Sequence, residues 1–307
     1  MRARAAALGL ILTLCGPLLA AGQQGPQTAA VTAQAASAPN TDSLSEDQIR
    51  ALIRLAAEKD IENDKRQRDY TFIQHNEEKK LNGKGKVKST ESKTYEIMEL
   101  YGEPVERLIA KDGKPLPPKE AKKEDARIQK ILDKRKNESE SARNKRLEKE
   151  EEEREDDRKF VREVADAYNF KLAATEQREG RATYVIDATP RPGYEPHLKE
   201  AKFLPKFRFR VWLDKAETEW VKLDIQCIDT VSVGVFLARI HKGSNIQIEQ
   251  TRVNDEVWLP QHIAIKFDAR LALLIGVNLT EEISYRDYKK FRTDTKIVPV
   301  GEAAQTK

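Results

Sequence analysis

Cysteine is almost absent. The 307-residue chain has two, Cys15 and Cys227. No CxxC pair and no Cys–His cluster exists, which removes the usual frameworks of a structural zinc site or a disulfide scaffold. Histidine is equally sparse. His75, His197, His241 and His262 are all there are, no two of them close in sequence, and HExxH is missing. The 14 glycines form neither a GxSxG nucleophile elbow nor a Walker-type phosphate loop. Gly83-Lys84-Gly85-Lys86 is a basic hairpin tip rather than a phosphate cradle. Acidic residues are plentiful, but abundance selects no catalytic pair. We therefore expect no enzyme, no metal and no cofactor.

A strong net charge is also lacking: 55 Lys and Arg face 51 Asp and Glu, a balance of +4. Long apolar runs are limited to the N-terminus. Arg2 and Arg4 precede the apolar stretch Ala5–Leu14, and Leu18-Leu19-Ala20-Ala21-Gly22 offers small residues for a peptidase. This is the layout of a secretory signal peptide over residues 1–22, too short for a membrane span. Leu14 ahead of Cys15 does not suit lipidation, so we expect cleavage near Ala21–Gln23 and no lipid anchor. Losing Arg2 and Arg4 lowers the balance to +2. Such a chain has no field to draw it onto nucleic acid or an anionic membrane. Cys227, on the apolar side of a strand pattern, is expected to be an inert buried thiol.

What the sequence does have is pattern. Residues 23–42 are Ala, Gln, Thr, Ser and Pro without period, a disordered linker. Order should begin with an amphipathic helix over about 45–66. Ser45 and Gln48 form a capping box, Leu44 and Ile49 a hydrophobic staple, and Ile49, Leu52, Ile53 and Ala56 share a face. Strands are expected at Tyr70–Glu78, Tyr95–Tyr101 and Pro104–Ala110, with turns at Asn82-Gly83 and Asp112-Gly113. Pro117-Pro118 then opens a segment, 119–159, in which 29 of 41 residues are charged. Its pairs Arg146–Glu150, Glu150–Arg154, Lys149–Glu153 and Glu155–Lys159 stand four apart. Leu147 is the one sizeable apolar residue between Leu132 and Phe160, so no heptad seam exists. The segment reads as a long solvated helix inserted between strands, or as an arm that docks an envelope protein partner.

Strands return at Phe170–Thr175 and Ala182–Ala188, around a turn at Glu179-Gly180. Phe207, Phe209, Val211 and Leu213 alternate with Arg208, Arg210 and Trp212. Across the next turn Val221, Leu223, Ile225 and Cys227 alternate with Trp220, Lys222, Asp224 and Gln226. Ile246/Ile248, Ile263/Ile265/Phe267 and Val277/Leu279/Ile283/Tyr285 continue the period of two. Consecutive one-sided hairpins make an antiparallel sheet with one dry face, and eight or more such strands curl. The helix at 45–66 is the natural cover. Two apolar stretches do not alternate, Val231–Ile240 and Leu271–Val277. They are either buried connections or short helices, or an apolar rim made of Val235, Phe236, Leu237, Leu273 and Leu274.

Four phrases then follow in order: GRATYVIDATPRP (Gly180–Pro192), FRVWLDKAETEWVKLDI (Phe209–Ile225), HKGSNIQIEQTRVNDEVWLP (His241–Pro260) and ISYRDYKKF (Ile283–Phe291). Together they resemble the outer-membrane lipoprotein-sorting proteins, the LolA-like superfamily of periplasmic carriers, over about 168–291 and loosely 45–110. The resemblance implies an α+β fold: an incomplete, strongly curved antiparallel β-barrel plugged by helices. The helical insertion 119–159 and the long 191–206 loop depart from the small carriers. On this basis residues 43–300 form a single domain, and 301–307 a flexible tail. The resemblance also implies a non-catalytic periplasmic protein whose apolar cavity holds acyl chains of a lipoprotein or lipid. Phe207, Phe209, Val211, Leu213 and Val221 would line it, with Leu223, Ile225, Ile263, Ile265 and Phe267. Members of this fold also serve as lipid-binding proteins or envelope-stress sensors, and the alternative expectation for this chain is an envelope scaffold or stress-sensing protein whose charged helix docks a protein partner.

Overall fold

The computed structural model describes residues 44–101, 103–233, 238–271 and 275–290. Its first element is helix α1, Glu46–Gln67. The Ser45 hydroxyl accepts from the Gln48 amide at 3.3 Å, and the Ser45 amide donates to Gln48 Oε1 at 2.8 Å, so the expected capping box is formed. Ile49, Ile53 and Ala56 are buried, and the same stripe continues as Asp60, Asn63 and Gln67. The apolar part packs; the polar part bonds to strands.

Strands β1 (Tyr70–Leu81), β2 (Val87–Leu100), β3 (Glu103–Lys111) and β4 (Lys114–Pro115) follow as hairpins. β2 starts eight residues before the expected strand. Its polar stretch is held by β1, register partner by partner, from Val87 onward. Asp112 and Gly113 both adopt positive φ at the β3–β4 turn, as the paired left-handed turn of a tight hairpin requires.

The charged segment is two helices, α2 (Pro118–Lys136) and α3 (Glu140–Ala167), rather than the single helix expected over 119–159. The break is chemical. Asn137 closes α2, and the Ser139 hydroxyl caps α3 by accepting from the Ala142 amide at 3.2 Å. Arg135 and Arg146 converge on the Glu138 carboxylate between them. Ile128, Ile131 and Leu132 seat α2 on Met98, Leu100 and Val105. Among the described residues of α3 it is the C-terminal end that joins the apolar body, through Phe160, Val164, Ala165 and Ala167.

Next come β5 (Tyr168–Arg178), β6 (Arg181–Pro190), a short 3₁₀ helix (Glu200–Lys206), β7 (Phe207–Asp214) and β8 (Trp220–Cys227). β9 (Val231–Val233), β10 (Ala238–Ile240), β11 (Asn245–Val253), β12 (Val257–Leu271) and β13 (Ile275–Lys290) complete the described elements. All pair antiparallel in one 13-stranded sheet, whose main path runs β4-β3-β2-β1-β13-β12-β11-β8-β7-β6-β5. β4 and β5 end that path without meeting, so the sheet curls but stays open, with α1 and the C-terminal end of α3 on its inner face. The α+β class and the curved, incomplete barrel expected from the sequence are what is observed.

Two clusters divide the inner face. One interleaves α1 and α3 with β5–β7: Ile49, Ile53, Ala165 and Ala167 against Tyr168, Phe170, Ile186, Val211 and Leu213. The other consists of strand residues, Phe207, Ile225, Cys227, Val231, Ile240, Ile246, Ile248, Ile263, Ile265, Ile283 and Tyr285, with Phe203 of the 3₁₀ helix beside them.

Candidate functional site

The register builds the site row by row. One row crosses the sheet as Phe170–Ala188–Phe209–Ile225–Ile246–Ile265. The next crosses as Leu172–Ile186–Val211–Leu223–Ile248–Ile263–Ile283. Directly paired residues point to one face. Seven strands thus present a continuous apolar band, which the alternation in each strand predicts.

Most of the candidate lining residues share this band. Val211 and Leu213 belong to its helix-covered part, with Phe209 and Leu223 between the two clusters. Phe207, Ile225, Ile263 and Ile265 are buried in the second cluster, and Phe267 packs against it. Val221 does not share it. The β7–β8 pairing slips between Trp212 and Leu213, so that Trp212 faces Lys222 and Leu213 faces Trp220. Val221 is the extra residue of this bulge, and it joins Val185, Trp212 and Trp258 in a separate cluster. Trp220, expected on the wet side, is turned inward instead. It packs on both inner clusters and donates its indole N–H to Asp60 of α1 at 2.9 Å. A bulge shifts the period by one residue, which no count of alternating positions detects.

Val235, Phe236, Leu237, Leu273 and Leu274, the expected rim, lie outside the described residues. Their described flanks are strands, not helix: Ala238, Arg239 and Ile240 pair with Leu271, Arg270 and Ala269.

Polar chemistry enters the inner face at β13. Leu279, Ile283 and Tyr285 are buried there, and Glu281 stands among them, opposite Ile265. Its other neighbours are Glu78 and Asn76 of β1. The Asn76 amide donates to Glu281 Oε1 at 3.0 Å, and Gln74 donates to Asn76 Oδ1 at 2.8 Å. Burial raises the Glu281 pKa, the charge of Glu78 raises it further, and the Asn76 bond opposes both. The pattern Leu279-x-Glu281-x-Ile283 carried this signal in the sequence as the one acidic interruption of an apolar alternation.

The first turn of β12 is where the inner helix is locked. Asn63, 1% exposed, accepts from the Trp258 amide and donates to the Trp258 carbonyl, both at 2.8 Å. Gln67 donates to the same carbonyl. Here β12 has left β13, whose pairing begins at His262, and α1 satisfies the backbone groups a neighbouring strand would hold. Pro260 lies at the bulge between Glu249 and Gln250 of β11, where its missing N–H does no harm.

The 191–206 segment is strapped to the body. The backbone N–H groups of His197 and Leu198 and the Tyr194 hydroxyl all donate to the Glu163 carboxylate of α3. Ala201 and Leu204 are buried in the helix-covered cluster.

The remaining candidate chemistry is dispersed. His75, His241 and His262 pair separately with Thr94, Asp268 and Glu282. The Cys227 thiol donates to the Asp229 carbonyl, and burial raises its pKa. Among the described residues no group of three or more His, Cys, Asp or Glu could hold a metal ion, and no helix is long and apolar enough to cross a membrane.

The chain matches no protein-family model and no curated protein. Among solved structures it is similar to a domain described as an outer membrane lipoprotein-sorting protein from Vibrio parahaemolyticus. That pair shares 12% identity over 80% of this chain and 95% of the other, with a TM-score of 0.33. A DUF1329 family protein from Desulfovibrio piger gives 12% identity, 81% and 95% coverage and a TM-score of 0.31. A LolA superfamily protein from Nitrosomonas europaea gives 10% identity, 79% and 93% coverage and a TM-score of 0.30. The superfamily that the hairpin phrases resemble is also named among these structures.

Proposed function

We propose that the chain is a non-catalytic periplasmic carrier or binding protein. It holds acyl chains of a lipoprotein or lipid against the second, strand-built half of the inner face. The observation that carries this is the apolar band across β7, β8, β11, β12 and β13, of which the helices cover one part only. Each methylene laid on it would contribute on the order of 0.8 kcal/mol. Phe207, Phe209, Leu223, Ile225, Ile263, Ile265 and Phe267 line it; Val211 and Leu213 sit deeper under α1. Residues 1–22 act as the export signal in this proposal.

Native mass spectrometry of protein recovered from a cell envelope, followed by organic extraction, tests it. A bound lipid or lipopeptide at one per chain is expected. Ile265→Asp should abolish binding while the circular dichroism spectrum is kept. An empty protein that also refuses a fluorescent fatty-acid probe would overturn the proposal.

A second function has its own support. From Glu140 to Lys159 helix α3 is mostly exposed, including Leu147 and the acidic run Glu151-Glu152-Glu153. At 1.5 Å per residue that is an arm of about 30 Å. We propose it as the docking element for an envelope protein. Deleting 140–159 should then cost a co-purifying partner and leave lipid binding intact; loss of neither would remove this role.

A further inference from the structure

The inner face changes from apolar to polar within a single strand, and the change is organised around Glu281. On the row that begins Phe209–Ile225–Ile246–Ile265, the next three positions are Glu281, Glu78 and Glu91. Four strand spacings separate Glu281 from Phe209, about 19 Å at the usual interstrand distance. That is the length of a long alkyl chain lying across the strands.

The hydrogen bonds at Glu281 run in one direction. Gln74 donates its amide to the Asn76 oxygen, so the Asn76 amide is turned toward Glu281 and donates to it. An ionised carboxylate only accepts. The series therefore ends on an acceptor with lone pairs to spare. Among the described residues Asn76 is its one donor, and no Lys, Arg or His stands within ion-pair distance. Lys93, on β2 beyond Asn76, is exposed and acts on Glu281 only through its charge. A ligand that completes this half-buried group from the apolar side would bring a donor in place of water.

We propose that Glu281 is the head-group subsite of the apolar band and that it selects amphiphiles carrying a protonated amine. The alkyl chain lies along Ile265, Ile246 and Ile225, and the ammonium group donates to the open side of the Glu281 carboxylate. The subsite rests on the carrier function proposed above and adds the ligand's charge to it. A carboxylate head would meet Glu281 and Glu78 with like charge; an alcohol could donate one neutral hydrogen bond.

The test is competition at pH 7. Dodecylamine, dodecanol and dodecanoate, kept below their aggregation concentrations, each displace a bound fluorescent acyl probe from the whole protein. Dodecylamine should bind about 10-fold tighter than dodecanol, the gain of one charge-assisted hydrogen bond, and dodecanoate should bind weakest. Glu281→Gln should bring amine and alcohol together. Glu78→Gln, one strand away, should keep the order. Equal binding of amine and alcohol by the wild-type protein would overturn the subsite while leaving the carrier function standing. Failure of every compound to displace, or of the probe to bind, would overturn both.

Discussion

The two halves of the inner face are finished by different means. In the first, side chains of α1 and α3 interleave with β5–β7, and residues such as Ile49 and Ile186 are within 1% of complete burial. In the second, strand residues face one another across the curl, joined by Phe203 and by no apolar side chain of α1, α2 or α3 among the described residues. The first half is a core in the ordinary sense. The second has the same composition without a helical filler, which is why the proposed ligand is placed there. A matched pair of truncations tests the distinction. Ile186→Ala should cost about 3 kcal/mol, the transfer term plus the cavity left behind. Ile265→Ala should cost about 2 kcal/mol, at the low end for a buried isoleucine, because Ile265 is 3% exposed but packs on other strand residues rather than on a helix. Urea denaturation of the ligand-free protein measures both, and equal costs would break the comparison.

The lock between the halves comes next in size. Asn63 holds α1 to Trp258 by two backbone hydrogen bonds in a dry setting. Asn63→Leu keeps the bulk and leaves the Trp258 N–H buried without its acceptor. The expected cost is about 2 kcal/mol, with faster hydrogen exchange at the Trp258 amide. Unchanged exchange would mean that α1 is held by its apolar stripe alone.

The β7–β8 hairpin crosses from one half to the other and is closed by Asp214. That carboxylate, 1% exposed, takes the Arg181 guanidinium at 2.6 and 2.9 Å and the amides of Ala216 and Glu217 at 3.0 and 2.8 Å. Burial works to raise its pKa, but the Arg181 bonds and the two amides outweigh it and hold it below the usual range. A carboxylate depressed in the folded state stabilises above its unfolded pKa of about 3.9 and loses that contribution as pH falls through the lower folded value. Acid unfolding should therefore show a limb below about pH 4. Asp214→Asn should flatten that limb and cost about 2 kcal/mol at pH 7. A limb unaffected by the substitution would assign acid sensitivity to other carboxylates.

Much of this was legible. The capping box, the covered helix face, the turns at Asp112-Gly113 and Glu179-Gly180 and the dry face of β7, β11 and β12 follow from local chemistry that residues carry with them. The Trp-Leu-Asp phrase of the hairpin also has its explanation, since Asp214 is the residue that builds the turn. Three things were hidden. The bulge at Val221 depends on how two strands meet, so Val221 and Trp220 were assigned to the wrong faces. The break at Asn137–Ser139 was masked by uniform charge, although both residues are good caps. The polar stripe Asp60, Asn63, Gln67 looks solvated in sequence. Asn63 and Gln67 are buried because the strand edge at Trp258 needs donors and acceptors, a demand set by β12 parting from β13, while the half-buried Asp60 takes the Trp220 indole. Glu281 was visible as an interruption, but only the register places it beside Ile265 and Asn76.

The smallest expected effect concerns the edge farthest from the helix-covered half. β3 pairs with the two-residue β4 only at Ala110 and Lys111, so the rest of its outer side would offer free backbone groups to another chain. Helix α2 occupies that side. Glu124 accepts the Leu108 amide at 2.9 Å, and Arg127 donates to the Glu106 carbonyl while bonding to Glu124 at 2.7 Å. Two side chains thus stand in for one strand. At the helix-covered end Arg50 of α1 bonds to the carbonyls of Ala165, in the last turn of α3, and of Tyr168, at the start of β5. Glu124→Ala should lower stability by about 1 kcal/mol, the net value of one such hydrogen bond, since water can reach Leu108 in its place. Its larger consequence should be kinetic. The Leu108 amide should exchange faster, and the protein should associate at high concentration through β3 while its lipid binding stays unchanged. If Glu124→Ala instead weakens lipid binding, the two ends of the sheet are coupled through its curvature, and the second half of the inner face is shaped by α2 after all.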